Sequence, residues 1–149
     1  MPRILLLIVL CSLDTLALAS GPNVHSLLPQ DTSNARYASD LVGTDASDRL
    51  YAARVLLRRI RTAWRMSTKD DDSIEVLEAR QTLNEFDEIV APRCLRMLSK
   101  SNTAKPCIQI LGMLETEAAL DPMRQQLGSA GWCQARLLRR AIGQIEGSQ

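Results

Sequence analysis

The chain has 149 residues and a formal net charge of +1, and 46% of its residues are hydrophobic while 23% are charged. This length and balance fit one globular domain and argue against a disordered chain. Only 3% of the residues are aromatic, and the abundant Leu, Ala, Ile and Met favour helices over sheets. The near-neutral charge creates no overall field that would attract nucleic acid or an anionic surface. We therefore expect an all-α fold.

The first 19 residues have the pattern of a secretory signal peptide. Arg3 precedes the apolar run 4–10, and the small-x-small sequence Ala-Leu-Ala ends at Ala19, where signal peptidase would cleave. A retained membrane anchor is the alternative, but Asp14 interrupts the apolar stretch, which falls short of the ~20 residues needed to span a bilayer. We expect cleavage after Ala19 and a periplasmic or secreted protein.

Residues 20–44 are predicted to form a flexible lead-in, rich in Gly, Pro and small polar residues, in which a short helix begins near Thr32. The next segment, 44–48, offers several N-cap residues and acidic side chains for a first helical turn. Apolar residues then recur at spacings of three and four, which predicts one long amphipathic helix. These residues are Leu50, Ala53, Leu57, Ile60 and Trp64.

A polar run at 68–73, including three consecutive aspartates, interrupts that pattern and is expected to cap a second helix that continues through Phe86. The remainder of the chain is predicted to contain four further helical segments separated by short turns. Their approximate bounds are 88–99, 104–115, 117–128 and 132–145.

A repeat of roughly thirty residues is the most informative internal signal. Residues 110–115 (ILGMLE) match residues 141–146 (AIGQIE), and residues 83–98 match residues 111–127 at nearly the same offset. A repeat of this length with a helix-turn-helix pattern is typical of helical solenoids, in which each unit buries its apolar face against the next. An irregular helical bundle is the alternative.

The repeat superposes Gly112 on Gly143 and places Pro122 in the first turn of its trailing segment. With the Arg-x-x-Ala-type pattern of the leading helices, these features resemble HEAT repeats of the short bacterial type. The resemblance implies a short, right-handed, armadillo-like α-α solenoid of about three helical hairpins over residues 45–149, with one face that holds another protein. It also requires Gly112 and Gly143 to occupy equivalent environments.

Three cysteines follow the predicted cleavage site. If segments 88–99 and 104–115 form an antiparallel pair, Cys94 and Cys107 lie at the same height across it, and a disulfide between them is geometrically reasonable. The alternative is a pair of buried thiols that serve as small apolar residues. Cys133 would remain as a reduced or intermolecular thiol.

A basic stripe follows the apolar stripe of the first long helix. Arg54, Arg58, Arg61 and Arg65 recur at spacings of four, three and four. Arginines in this arrangement can hold the carboxylates of an acidic partner segment or the phosphate of an anionic head group. The alternative is an ordinary solvated face with loose ion pairs. Nucleic acid is not expected as a partner, because export would take the chain away from the usual nucleic-acid targets.

Catalytic and metal-binding patterns are absent from the sequence. The only histidine, His25, lies in the lead-in, and there is no CxxC, HExxH or phosphate-binding glycine loop. We therefore expect no enzyme activity, metal or cofactor, and a scaffold that mediates protein–protein interaction without stable membrane insertion. Two alternatives remain: an accessory or regulatory subunit of a lyase-type enzyme, which the resemblance suggests, and a thiol or redox role through Cys133.

Overall fold

The computed structural model describes residues 29 to 148, with side chains from Asn34 onward. Within this range the chain is helical and has no strands, which confirms the predicted all-α class. The predicted signal peptide, its cleavage site and His25 lie outside the described residues. The helices are α1 (Pro29–Asp40), α2 (Ala46–Ser67), α3 (Ile74–Met97), α4 (Ala104–Met113), α5 (Leu120–Leu127) and α6 (Trp132–Gly147), and a 3-10 turn, Glu117–Ala119, leads into α5.

Helix α2 begins where the sequence offers N-cap residues. The carboxylate of Asp45 accepts hydrogen bonds from the backbone N–H groups of Ser47 at 2.7 Å and Asp48 at 3.0 Å, which satisfies two of the donors that a helix start leaves open. These two bonds, that from Asp48 contributing most, lower the pKa of Asp45. Of the predicted apolar stripe of α2, Ala53 and Ile60 are buried, and Leu57 and Trp64 are partly buried. Leu56, which the predicted stripe did not include, is fully buried as well.

Helix α3 is longer than the sequence indicated. The predicted break between the helix through Phe86 and a separate segment 88–99 is wrong, because α3 continues to Met97 with Pro92 inside it. Phe86, Val90 and Cys94 are buried at spacings of four, so one apolar stripe crosses the proline. Pro92 itself is exposed, and water can therefore solvate the carbonyl that loses its helical hydrogen bond.

Helices α2, α4 and α6 pack in series, with α4 in the middle. α3 packs against α2 and α4, and α5 packs against α6. Near the two N-termini the Asn102 side-chain amide donates to the carbonyl of Ala46 at 3.0 Å. Further along, Arg61 Nη2 donates to Gln109 Oε1 at 3.0 Å. These two contacts show that α2 and α4 run in the same direction.

The compact unit that contains these helices begins at Ser33, within the segment assigned to the lead-in. Leu41 is fully buried in the core. The Tyr37 ring packs edge-on against Tyr51 with ring centroids 6.1 Å apart, and the Arg59 guanidinium lies 5.2 Å from the centroid of the Tyr37 ring. The packed part of the chain therefore includes residues 33–44 as well as the predicted repeat region.

The two glycines that the repeat superposes have different surroundings. A Cβ at Gly112, on α4, would lie 2.9 Å from the Cα and Cβ of Ala141 and 3.0 Å from Gln144 Oε1, both on α6. A Cβ at Gly143, on α6, would have no atom within 4 Å. Gly112 therefore allows α4 and α6 to pack closely, whereas Gly143 faces open space. The two glycines therefore do not occupy the equivalent environments that the repeat requires.

Candidate functional site

A groove crosses the series of helices α2, α4 and α6, and its cavity volume is about 250 Å³. We call it the arginine groove. Its polar lining consists of Arg61 and Arg65 from α2, Gln109 from α4, and Arg140 and Gln144 from α6. Because α4 lies between the other two helices, the arginines stand on two separate walls. Three cationic groups and two amides therefore face one shared space.

The remaining lining of the arginine groove is apolar. Trp64 of α2, Met113 of α4, and Leu137 and Ala141 of α6 contribute to it. Trp64 and Leu137 are partly buried and pack against the hydrophobic core with the rest of their surface. These side chains are thus held in place by the core while part of each faces the groove.

The charge of the groove arginines is not neutralised by neighbouring acids. No carboxylate lines the arginine groove, and the ion pairs found among the described residues are Arg36 with Asp40, and Arg124 with Asp121 and Glu146. The contact that Arg61 makes is with the neutral amide of Gln109. Positive charge therefore accumulates in the groove, where it favours binding of an anionic group.

Gly112 fixes the geometry of this groove. Its missing side chain brings α4 against Ala141 and Gln144, two residues that line the groove on α6. A larger residue at position 112 would push α6 away from α4 and would displace the wall that carries Arg140. The close helix contact and the position of the third arginine are therefore linked.

The predicted basic stripe is divided by the structure. Arg54, Arg58, Arg61 and Arg65 are all exposed along α2, but only Arg61 and Arg65 line the arginine groove. The sequence prediction did not include Arg140. Its spacing from the apolar residues of α6 resembles that of any exposed arginine, and the sequence does not show which helix faces α2 across α4.

Arg59 has a structural role between α1 and α2. Its guanidinium lies over the ring of Tyr37 and donates a hydrogen bond to Asn34 Oδ1. The arginine therefore ties α1 to α2 on a side of α2 that does not line the groove. Arg58 and Arg61, in contrast, are exposed.

A second depression lies beside Trp64, and its lining carries both signs of charge. Arg80, Asp87 and Glu115 contribute to it, and Asp87 accepts a hydrogen bond from Thr116 Oγ1 at 2.7 Å. Because acids and a base are mixed there, this depression has no clear preference for a charged ligand. The arginine groove is the more selective of the two.

Cys94 of α3 and Cys107 of α4 lie side by side in the core, and both are fully buried. They are free thiols in the structure. Burial, followed by a hydrogen bond with Cys107, raises the pKa of the Cys94 thiol well above its usual range. The predicted disulfide between them stays a prediction. Cys133 is exposed in the first turn of α6.

No group of three or more metal-ligand side chains occurs in the described part of the chain. Among residues 29 to 148, no helix combines the length and the apolar character needed to cross a bilayer. Comparisons of the chain with models of protein families, with curated proteins and with solved structures find no match.

Proposed function

We propose that this chain is an exported, non-enzymatic helical scaffold that binds an acidic segment of another protein in the arginine groove. One observation carries the proposal: Arg61, Arg65 and Arg140 line a single groove that contains no carboxylate. Guanidinium groups bind carboxylates through two parallel hydrogen bonds. Three of them on two walls suit a chain that presents several acidic side chains in succession.

The size of the groove favours a peptide segment over a cofactor. Its volume of about 250 Å³ is below the ~300–1,000 Å³ of typical small-molecule sites. A segment of extended chain needs only a shallow track with room for one or two side chains. Because the net charge of the chain is only +1, the attraction for an acidic segment would come from this local patch of arginines rather than from the whole surface.

A HEAT-type solenoid is the architecture that we propose for this scaffold. Its support is the serial packing of α2, α4 and α6, with α3 against α4 and α5 against α6, which is the contact pattern of stacked hairpins. In this arrangement Gly112 on α4 faces α6, the next helix of its layer. Gly143 lies on α6, and no further helix among the described residues follows α6 in this layer. The different surroundings of the two glycines would follow from that position.

Charge reversal tests the binding proposal. A fluorescein-labelled 12-residue peptide of alternating Glu and Gly should bind the wild-type protein, as fluorescence anisotropy would measure, and added salt should weaken the binding. The double variant Arg61→Glu/Arg140→Glu should lose at least tenfold in affinity, because two attractive contacts become repulsive. The matched control is Arg96→Glu/Arg136→Glu, in which both arginines are exposed and lie outside the groove.

The control should bind the peptide nearly as well as the wild type does, because Arg96 and Arg136 lie outside the groove. Its net charge changes by the same amount as that of the groove variant. Equal losses in both variants would mean that the peptide responds to net charge alone. No binding to the wild-type protein at low salt would contradict the proposed function outright. Circular dichroism of each variant checks that the helical content is retained.

A further inference from the structure

We infer that the arginine groove selects acidic segments that carry a single bulky apolar side chain among their carboxylates; this inference rests on the proposed function. The observation behind it is the alternation of charge and apolar surface along the groove walls. Trp64 lies between Arg61 and Arg65 on α2, and Leu137 precedes Arg140 by one turn of α6. Each cationic group therefore has an apolar neighbour in the same groove.

The apolar surface is positioned to receive a side chain. Trp64 and Leu137 pack against the core on one side and line the groove on the other, so their orientation is set before any ligand binds. Met113 of α4 is 7% exposed and contributes a small apolar surface to the groove between α2 and α6. A preorganised apolar site of this kind binds without the cost of ordering its own side chains.

The volume limits what the groove can hold. About 250 Å³ accommodates one large side chain, such as Leu or Phe, together with the polar atoms beside it. A groove of this size leaves less room for a run of such side chains. The arginines on the two walls would then contact acidic residues that precede and follow the apolar residue. We therefore assign the occupant as an acidic segment with one central apolar anchor, supplied by a different protein.

A second copy of this chain is the alternative occupant, because the loop between α2 and α3 carries the acidic run 70–72. This run is exposed, and Ile74, which is 72% exposed, follows it. Ile74 already belongs to the first turn of α3, so this segment cannot lie along the groove as an extended chain. Its composition fits the groove, but its helical conformation does not.

Three 11-residue peptides of equal charge test the inference, each with five residues of alternating Glu and Gly on either side of a central Leu, Phe or Gly. The full chain with Trp132→Phe serves as the protein, so that Trp64 is its remaining tryptophan. We expect the Leu and Phe peptides to bind about tenfold more tightly than the Gly peptide, because the anchor buries apolar surface. Their binding should also shift the emission of Trp64 to shorter wavelength.

Leu137→Ser should remove most of this preference while the charge-dependent binding remains. Leu77→Ser is the matched control, because Leu77 is 52% exposed and does not line the groove. If the wild-type protein bound all three peptides with equal affinity, the inferred preference for a central apolar side chain would be contradicted. The proposed binding of acidic segments would still stand. The absence of binding to every peptide would overturn both proposals. A concentration-dependent dimer that Asp70→Lys/Asp71→Lys dissociates would instead assign the groove to a second copy.

Discussion

Replacing Gly112 with alanine tests whether α4 and α6 are in the close contact that forms the arginine groove. The new Cβ would lie 2.9 Å from the Cα of Ala141, and a backbone atom cannot move aside as the end of a flexible side chain can. Overpacking of this kind costs about 1 to 3 kcal/mol. The higher helix propensity of alanine returns about 1 kcal/mol. We expect a net loss of up to about 2 kcal/mol in the free energy of unfolding.

Gly143→Ala is the matched control, because a Cβ there meets no atom within 4 Å and the residue lies inside the same helix that receives the clash. This change should stabilise the protein by about 0.5 to 1 kcal/mol. Urea unfolding followed by circular dichroism measures both variants. Two substitutions of the same kind should thus shift stability in opposite directions. If Gly112→Ala were as stabilising as Gly143→Ala, the close packing of α4 against α6 would be refuted.

Two further predictions concern the helix cap and the thiols. Because the folded protein lowers the pKa of Asp45, the stability that its carboxylate contributes is present well above its ordinary pKa of 3.8 and is lost as the pH falls through the folded value. Asp45→Ala should therefore unfold at a lower temperature than the wild type at pH 6, and the difference should shrink below pH 3.8; Asp45→Asn, an uncharged cap, should show less dependence on pH. A difference that persisted at low pH would contradict this assignment. If the protein is exported and oxidised, intact mass under non-reducing conditions should show a Cys94–Cys107 disulfide, and Cys94→Ala should remove about 3 kcal/mol of stability. Cys133 should react with a thiol label in the native state. If only one site is labelled and Cys94 is nevertheless found as a reduced thiol, the disulfide is refuted.

The sequence predicted the long helix α2 well, because its start and its buried stripe are both local features. The N-cap residues at 44–48 and the three-and-four spacing up to Trp64 depend only on neighbours along the chain. The predicted break between Phe86 and residue 88 was wrong, because α3 continues to Met97. Whether two neighbouring helical segments join into one helix depends on what their apolar faces are buried against, and for α3 that partner comes from elsewhere in the chain.

The candidate site was only partly predictable, because half of it comes from a distant helix. Arg61 and Arg65 were identified from their spacing along α2. Arg140 belongs to α6, and it lines the same groove because Gly112 lets α6 pack against α4. Spacing along the chain carries no information on this contact. The repeat pattern identified Gly112 as notable but assigned its role to a repeated motif, whereas the structure gives it a specific packing function.

The binding of an acidic segment in the arginine groove is tested most directly by the indole signals of the two tryptophans. Trp64 lines the groove, whereas Trp132 is 76% exposed and lies outside it. In a ¹⁵N-labelled wild-type protein, titration with the Leu-anchored acidic peptide should shift the indole N–H signal of Trp64 and leave that of Trp132 in place. Shifts confined to Trp132, or a Trp64 signal that does not move at saturating peptide, would contradict the account.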